Sequence, residues 1–157
     1  MQSTRFTMLI AAFGLLCASP SAADGISASE PQTVVAALQD WGVRAKLETD
    51  NQGDPKITSA VSGVNFAIYF YGCDDDNTGC QDLLLSAGFD KSEGHTGEPI
   101  NNWNEDTIVG AAYLDDENDP NIQHFVAGVH NMNTASFERT MERWELALGD
   151  FLNYIDW

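Results

Sequence analysis

The stretch from Val64 to Phe89 constrains the fold of this chain more than any other. Two hydrophobic runs, VNFAIYFYG and QDLLLSAGF, flank the acidic loop Asp74-Asp75-Asp76-Asn77-Thr78-Gly79, and Cys73 and Cys80 stand at its two ends. Placing Cys73 opposite Cys80 in an antiparallel hairpin sets Val64 against Phe89, Phe66 against Ala87, Ile68 against Leu85 and Phe70 against Leu83. That face is wholly apolar. The other face pairs Asn65 with Gly88, Ala67 with Ser86, Tyr69 with Leu84 and Tyr71 with Asp82, a mixed set suited to partial hydration. A slip of one residue would scramble the segregation, so the cysteines and the hydrophobic pattern lead independently to one register. A disulfide across so short a loop contributes about 2–3 kcal/mol. The competing use of the loop is metal ligation.

The amino terminus bears on that choice. Arg5 precedes a run from Phe6 to Cys17 that is apolar but for Thr7, followed by Ala-Ser-Pro-Ser-Ala-Ala with small residues at Ser21 and Ala23. This is the layout of a secretory signal peptide, residues 1–23, with cleavage after Ala23. The run falls short of the roughly 20 residues that a spanning helix needs. Lipidation at Cys17 is the alternative, and Leu15 and Leu16 suit it poorly. The expected product is periplasmic or secreted, with no membrane insertion after cleavage. Cys17 leaves with the signal, and two cysteines in an oxidising compartment pair as Cys73–Cys80.

The remainder suits one domain, residues 30–157, behind a short mobile leader, residues 24–29. Ser29 is the expected N-cap of a first helix, with Pro31 in its first turn, Val34, Leu38 and Trp41 at helical spacing, and Gly42 as its stop. Val43 to Asp50 alternates as a half-buried strand, Lys56 to Ser62 returns, and Gly63 marks the next turn. Beyond the hairpin, Glu98 to Asn104 reads as a short helical turn anchored by Ile100 and Trp103. Thr107 to Leu114 and Ile122 to His130 are strands. Phe137, Met141, Trp144, Leu148, Phe151 and Ile155 repeat at four-three spacing, the seam of a long amphipathic helix.

The chain carries 24 acidic against 7 basic residues, a net charge of −17. Such a surface repels nucleic acid and anionic lipid, and favours basic partners or plain solubility. Metal candidates are Asp74 and Asp76 in one acidic loop and Asp115 and Asp119 in another. The first loop opens like a calcium-binding helix-loop-helix loop, but Leu85 stands where the twelfth-position glutamate is required. Weak calcium-dependent binding is what such loops still allow. His95, His124 and His130 share no zinc spacing, although His124 and His130 fall on one face of the expected strand. No catalytic cysteine, Gly-x-Ser-x-Gly elbow, phosphate loop or His-Glu-x-x-His helix is present. A hydrolase built from His124 and a carboxylate is the residual enzymatic reading. Asn101, Trp103 and Asn104 form a candidate partner-binding rim, against the plainer reading of Trp103 as a core plug.

The ordered set of a helix ending Trp41-Gly42, Gly63 and Phe66, Tyr71 and Cys73, Cys80 with Leu83 and Leu85, Gly88-Phe89, Ile100-Asn101-x-Trp103-Asn104 and Ala112-Tyr113-Leu114-Asp115 resembles the YbjN-domain family of bacterial sensory transduction regulators. The resemblance implies an α+β fold similar to type III secretion chaperones: a curved antiparallel sheet packed by an N-terminal helix and a long C-terminal amphipathic helix. It implies no established catalytic activity, and no cofactor is expected. By analogy it also implies a protein or peptide partner and a homodimer as an accessible assembly. Relatives carry a basic and aromatic pair shortly after Trp-Asn, where this chain has Glu105 to Val109, so a contact made by that pair does not transfer. The expected function is an exported, non-enzymatic interaction module.

Overall fold

The computed structural model describes residues 25–91 and 94–157. The expected signal peptide, with Cys17, lies outside the described residues. In chain order the elements are α1 (Pro31–Asp40), β1 (Ala45–Thr49), β2 (Pro55–Val61), β3 (Val64–Tyr71), β4 (Asp82–Gly88), α2 (Gly97–Asp106), β5 (Ala111–Leu114), β6 (Pro120–Val126) and α3 (Thr134–Ile155). The strands form one antiparallel sheet in the order β1-β2-β3-β4-β6-β5. The fold is α+β, as expected, with the N-terminal and C-terminal helices packed on the sheet.

The central hairpin has the register expected from its sequence: Ala67 faces Ser86, Ile68 faces Leu85, Tyr69 faces Leu84, Phe70 faces Leu83 and Tyr71 faces Asp82. Cys73 and Cys80 are bonded, with their Cα atoms 3.7 Å apart. On the buried face, Phe66, Ile68, Phe70, Leu83, Leu85 and Ala87 enter one core with the α3 seam. Trp144 meets Phe66 edge-on at 6.1 Å, and Phe151 packs against Phe89 at 5.8 Å and Trp103 at 5.0 Å. The narrow seam of α3 thus covers its own sheet, and each large side chain so buried contributes about 1.5–3 kcal/mol. Asn133 caps the start of α3 by accepting from the Ser136 amide, and Asp156 ends it in the left-handed conformation.

Four local expectations require correction. The leader is tied down: Ile26 and Met132 exchange backbone hydrogen bonds at 2.8 Å, the Ala28 amide donates to Val129 O, and Ile26 and Ala28 are buried. Two apolar side chains entering the core outweigh the small-residue composition that suggested mobility. The N-cap of α1 is Glu30, with no side-chain cap. Thr33 takes over, its Oγ1 accepting from the Ser27 amide and donating to Glu30 O. β5 starts only at Ala111, because Gly110 sits at φ 85° and the preceding residues close α2 through Thr107 Oγ1 donating to Trp103 O. β6 stops at Val126, and the chain turns through Gly128 at φ 64°, so His130 is not on the strand with His124.

Candidate functional site

Because side chains alternate along a strand, a sheet whose helices sit on one side leaves every second residue on the other. Here no described helix covers that second face. Register brings its residues into rows across the strands. Glu48, Lys56, Tyr69, Leu84 and Phe125 form one row; Lys46, Thr58, Ala67, Ser86 and Gln123 form the next. Tyr71 (48 % exposed), Phe125 (53 %) and Tyr113 (41 %) are the large exposed side chains of this face. An aromatic and aliphatic row, Tyr69–Leu84–Phe125, therefore crosses three adjacent strands in contact with solvent.

Beside that row the sheet is hollowed by a concavity of about 680 Å³. Its floor is made of small residues, Ala67, Ser86 and Gly88; Tyr69 and Tyr113 form walls, and Arg44 and Lys46 stand on the β1 side. The volume falls within the roughly 300–1,000 Å³ of ordinary ligand sites. Desolvation, followed by Asp115, Tyr69 and Tyr71, pushes the Tyr113 hydroxyl above its ordinary pKa, so it stays protonated and able to donate at neutral pH. The hairpin's half-wet face, which pattern analysis describes only as mixed, is thus the accessible face of the domain. Tyr69, Leu84 and Phe125 were missed as a group because the β4–β6 pairing that unites them skips α2 and β5.

Of the expected rim, Trp103 is a core residue, 3 % exposed, donating Nε1–H to Gly110 O at 2.6 Å. Asn104 spends its amide on Ala112, donating to its carbonyl and accepting from its N–H. Asn101 and Asn104 are both exposed, whereas Trp103 is buried. Trp103 is therefore the core plug of the plainer reading, and with Asn104 it fastens α2 to Gly110 and β5.

The acidic loops have a structural job. Asp50–Asp54, Asp74–Thr78 and Asp115–Asp119 share one backbone pattern. In each, the first residue's N–H bonds the fifth residue's carbonyl, and the fourth residue's N–H bonds the first residue's carbonyl. Gly53, Asn77 and Asn118 occupy the fourth place with φ of 97°, 62° and 64°. These are three-residue hairpin loops with a left-handed residue, for which Gly and Asn are suited. Asp115 Oδ1 accepts from the Glu117 and Asp119 amides and Oδ2 from Asn121, contacts that hold its carboxyl below the ordinary carboxylate range. Asp76 accepts from Thr78, which likewise lowers its pKa. Asp119 accepts from the Lys91 amide, and Asp74 is exposed. Among the described residues, no three His, Cys, Asp or Glu side chains are grouped to hold a metal ion. The sequence signal was Asp followed three places later by Gly or Asn.

His124 lies on the helix-facing side of β6, opposite Leu85. It forms no ion pair with a carboxylate among the described residues, and burial lowers its pKa from the ordinary 6.5. The unfolded imidazole takes up a proton near pH 6.5 while the folded ring resists, so the unfolded chain binds more protons there. Stability falls as the pH drops through this range, until the folded ring also protonates. We expect melting temperatures recorded from pH 7.5 to 5.5 to decline, and to decline less steeply in His124→Gln. Equal slopes would mean that His124 titrates alike in both states.

No described helix is long and apolar enough to cross a membrane. The family model of YbjN, described as "Putative bacterial sensory transduction regulator", matches residues 30–157. No curated protein matches the chain significantly. With the match spanning nearly all of the described residues, the chain belongs to the YbjN family.

Proposed function

We propose that this member of the YbjN family is an exported, non-enzymatic regulatory module that binds a protein or peptide segment on the open face of its sheet. One observation carries the reading: Tyr69, Leu84 and Phe125 lie in register across β3, β4 and β6 on a face without a described helix, flanked by exposed Tyr71 and Tyr113. Aromatic side chains there offer large contact area at low entropic cost, the composition of protein-binding surfaces. Export rests on the amino-terminal layout of Arg5, the apolar run to Cys17 and Ala23. The family description names a regulator and no reaction, and among the described residues His124 forms no ion pair with a carboxylate, which the hydrolase reading requires.

Panning a displayed random-peptide library against the immobilised mature protein tests this. Enriched peptides are expected to bind wild type and to lose at least about tenfold in affinity on Phe125→Asp, the scale of an interface anchor. Phe125 is exposed, so the variant should melt near wild type. No enrichment, or binding indifferent to the substitution, would overturn the assignment of this face.

A further inference from the structure

The charge of the open face runs against that of the whole molecule. The chain has 24 acids and 7 bases, yet three of those bases, Arg44, Lys46 and Lys56, collect on the β1–β2 side of this one face. The acids among its strands are already engaged. Glu48 pairs with Lys46 at 2.5 Å and accepts from Thr58, and Asp82 accepts from the Gly128 amide. Among the described residues the Arg44 side chain donates only to the neutral amide oxygen of Asn65, at 3.1 Å, and Lys56 lies over the Tyr69 ring at 5.1 Å. Among the described residues neither has a carboxylate within ion-pair distance. Glu48 faces Lys56 across β1 and β2 but pairs with Lys46, so Arg44 and Lys56 stand outside any ion pair of the described residues, beside the concavity of a strongly acidic protein.

We infer that the open face takes an extended peptide segment with acidic residues at one end, held by Arg44, Lys46 and Lys56, and apolar residues at the other, held by Tyr69, Leu84 and Phe125. This rests on the proposed use of the face for peptide binding and adds the chemistry and direction of the ligand. From β2 to β6 the ligand crosses three strand spacings of about 4.8 Å, some four or five extended residues. An arginine guanidinium can grip a carboxylate through two parallel hydrogen bonds, replacing the single one to Asn65. Breaking the exposed Lys46–Glu48 pair costs little, about 0–1 kcal/mol. The acidic body opposes such a ligand only weakly at 0.15 M salt, where charges are screened beyond about 8 Å.

Two synthetic peptides test the inference by fluorescence anisotropy at 150 mM NaCl: Glu-Glu-Glu-Gly-Ser-Leu-Phe-Leu-Phe, and the same peptide with Lys for each Glu. The acidic peptide is expected to bind wild type at least about tenfold tighter than the basic one. The triple variant Arg44→Ala, Lys46→Ala, Lys56→Ala should abolish that preference, and Phe125→Asp should weaken both peptides. Both peptides binding equally, or the basic one more tightly, with Phe125 still required, overturns the inference and leaves the open face as the peptide site. A preference that survives the triple variant also overturns it. If neither peptide binds, or Phe125→Asp changes nothing, the open-face reading falls as well.

Discussion

Replacing Trp144 with alanine is expected to cost about 3–5 kcal/mol, the range for emptying a fully buried large aromatic site. Trp144 is fully buried where α3 crosses the sheet, edge-on to Phe66. For a chain of this size the melting temperature should fall by roughly 10–15 °C, as followed by circular dichroism. Trp144 is also the one buried side chain among the described residues whose polar atom, Nε1, has no hydrogen-bond partner. An unpaired buried donor costs about 1–3 kcal/mol. Trp144→Phe keeps a ring against Phe66 and removes the orphaned N–H, so it should lose less than half of what Trp144→Ala loses. Equal losses would show that the indole N–H is satisfied in solution.

Removing both cysteines, as Cys73→Ala with Cys80→Ala, is expected to cost about 2–3 kcal/mol, because the bond closes a short loop, at a sequence separation of 7, that the unfolded chain would otherwise explore. Cys80→Ser alone should cost at least as much. It breaks the bond and places a hydroxyl at a position 1 % exposed. Denaturant titration reads both. Since neither cysteine lines the concavity or the aromatic row, peptide affinity at temperatures where the variants remain folded should not change. A Cys80→Ser protein that melts like wild type would remove the bond's structural role; a stable double variant that no longer binds would tie the bond to the open face.

What could be read from the residues follows the range of the interactions. The β3–β4 hairpin was legible because its register, its alternation and its paired cysteines are encoded within one continuous stretch. The α3 seam was legible for the same reason, since helical periodicity is local. The leader was misread because Ile26 and Ala28 look unremarkable beside one another and gain their role only from Met132 and Val129, more than a hundred residues away. Trp103, as a rim residue beside Asn101 and Asn104, was misread similarly, since it is buried. Polar and aromatic residues on a short helix suggest a rim until the carbonyls of Gly110 and Ala112 are seen to take up their hydrogen-bonding capacity.

The acidic loops teach the opposite lesson. Their turn signature, Asp with Gly or Asn three places on, is local, but it is not selective: Asp76 with Gly79 and Asp150 with Asn153 also fit it, and Asp150 lies inside α3. Asp50, Asp74 and Asp115 begin hairpin loops whose left-handed fourth residues are sterically eased by Gly53, Asn77 and Asn118.

By itself the sequence determined the hairpin, its disulfide, the amphipathic last helix and a strongly negative whole, since each depends on neighbours in the chain or on simple counting. Only the tertiary structure decided which face of the sheet carries no described helix, because the helices and the buried aromatics gather on the other side, and the insertion of β6 between β4 and β5 brings Phe125 beside Leu84. It also decided that a molecule of net charge −17 presents Arg44, Lys46 and Lys56 together on that face. Net charge is a sum over residues, whereas the field that a ligand meets is set by where the strands place each of them.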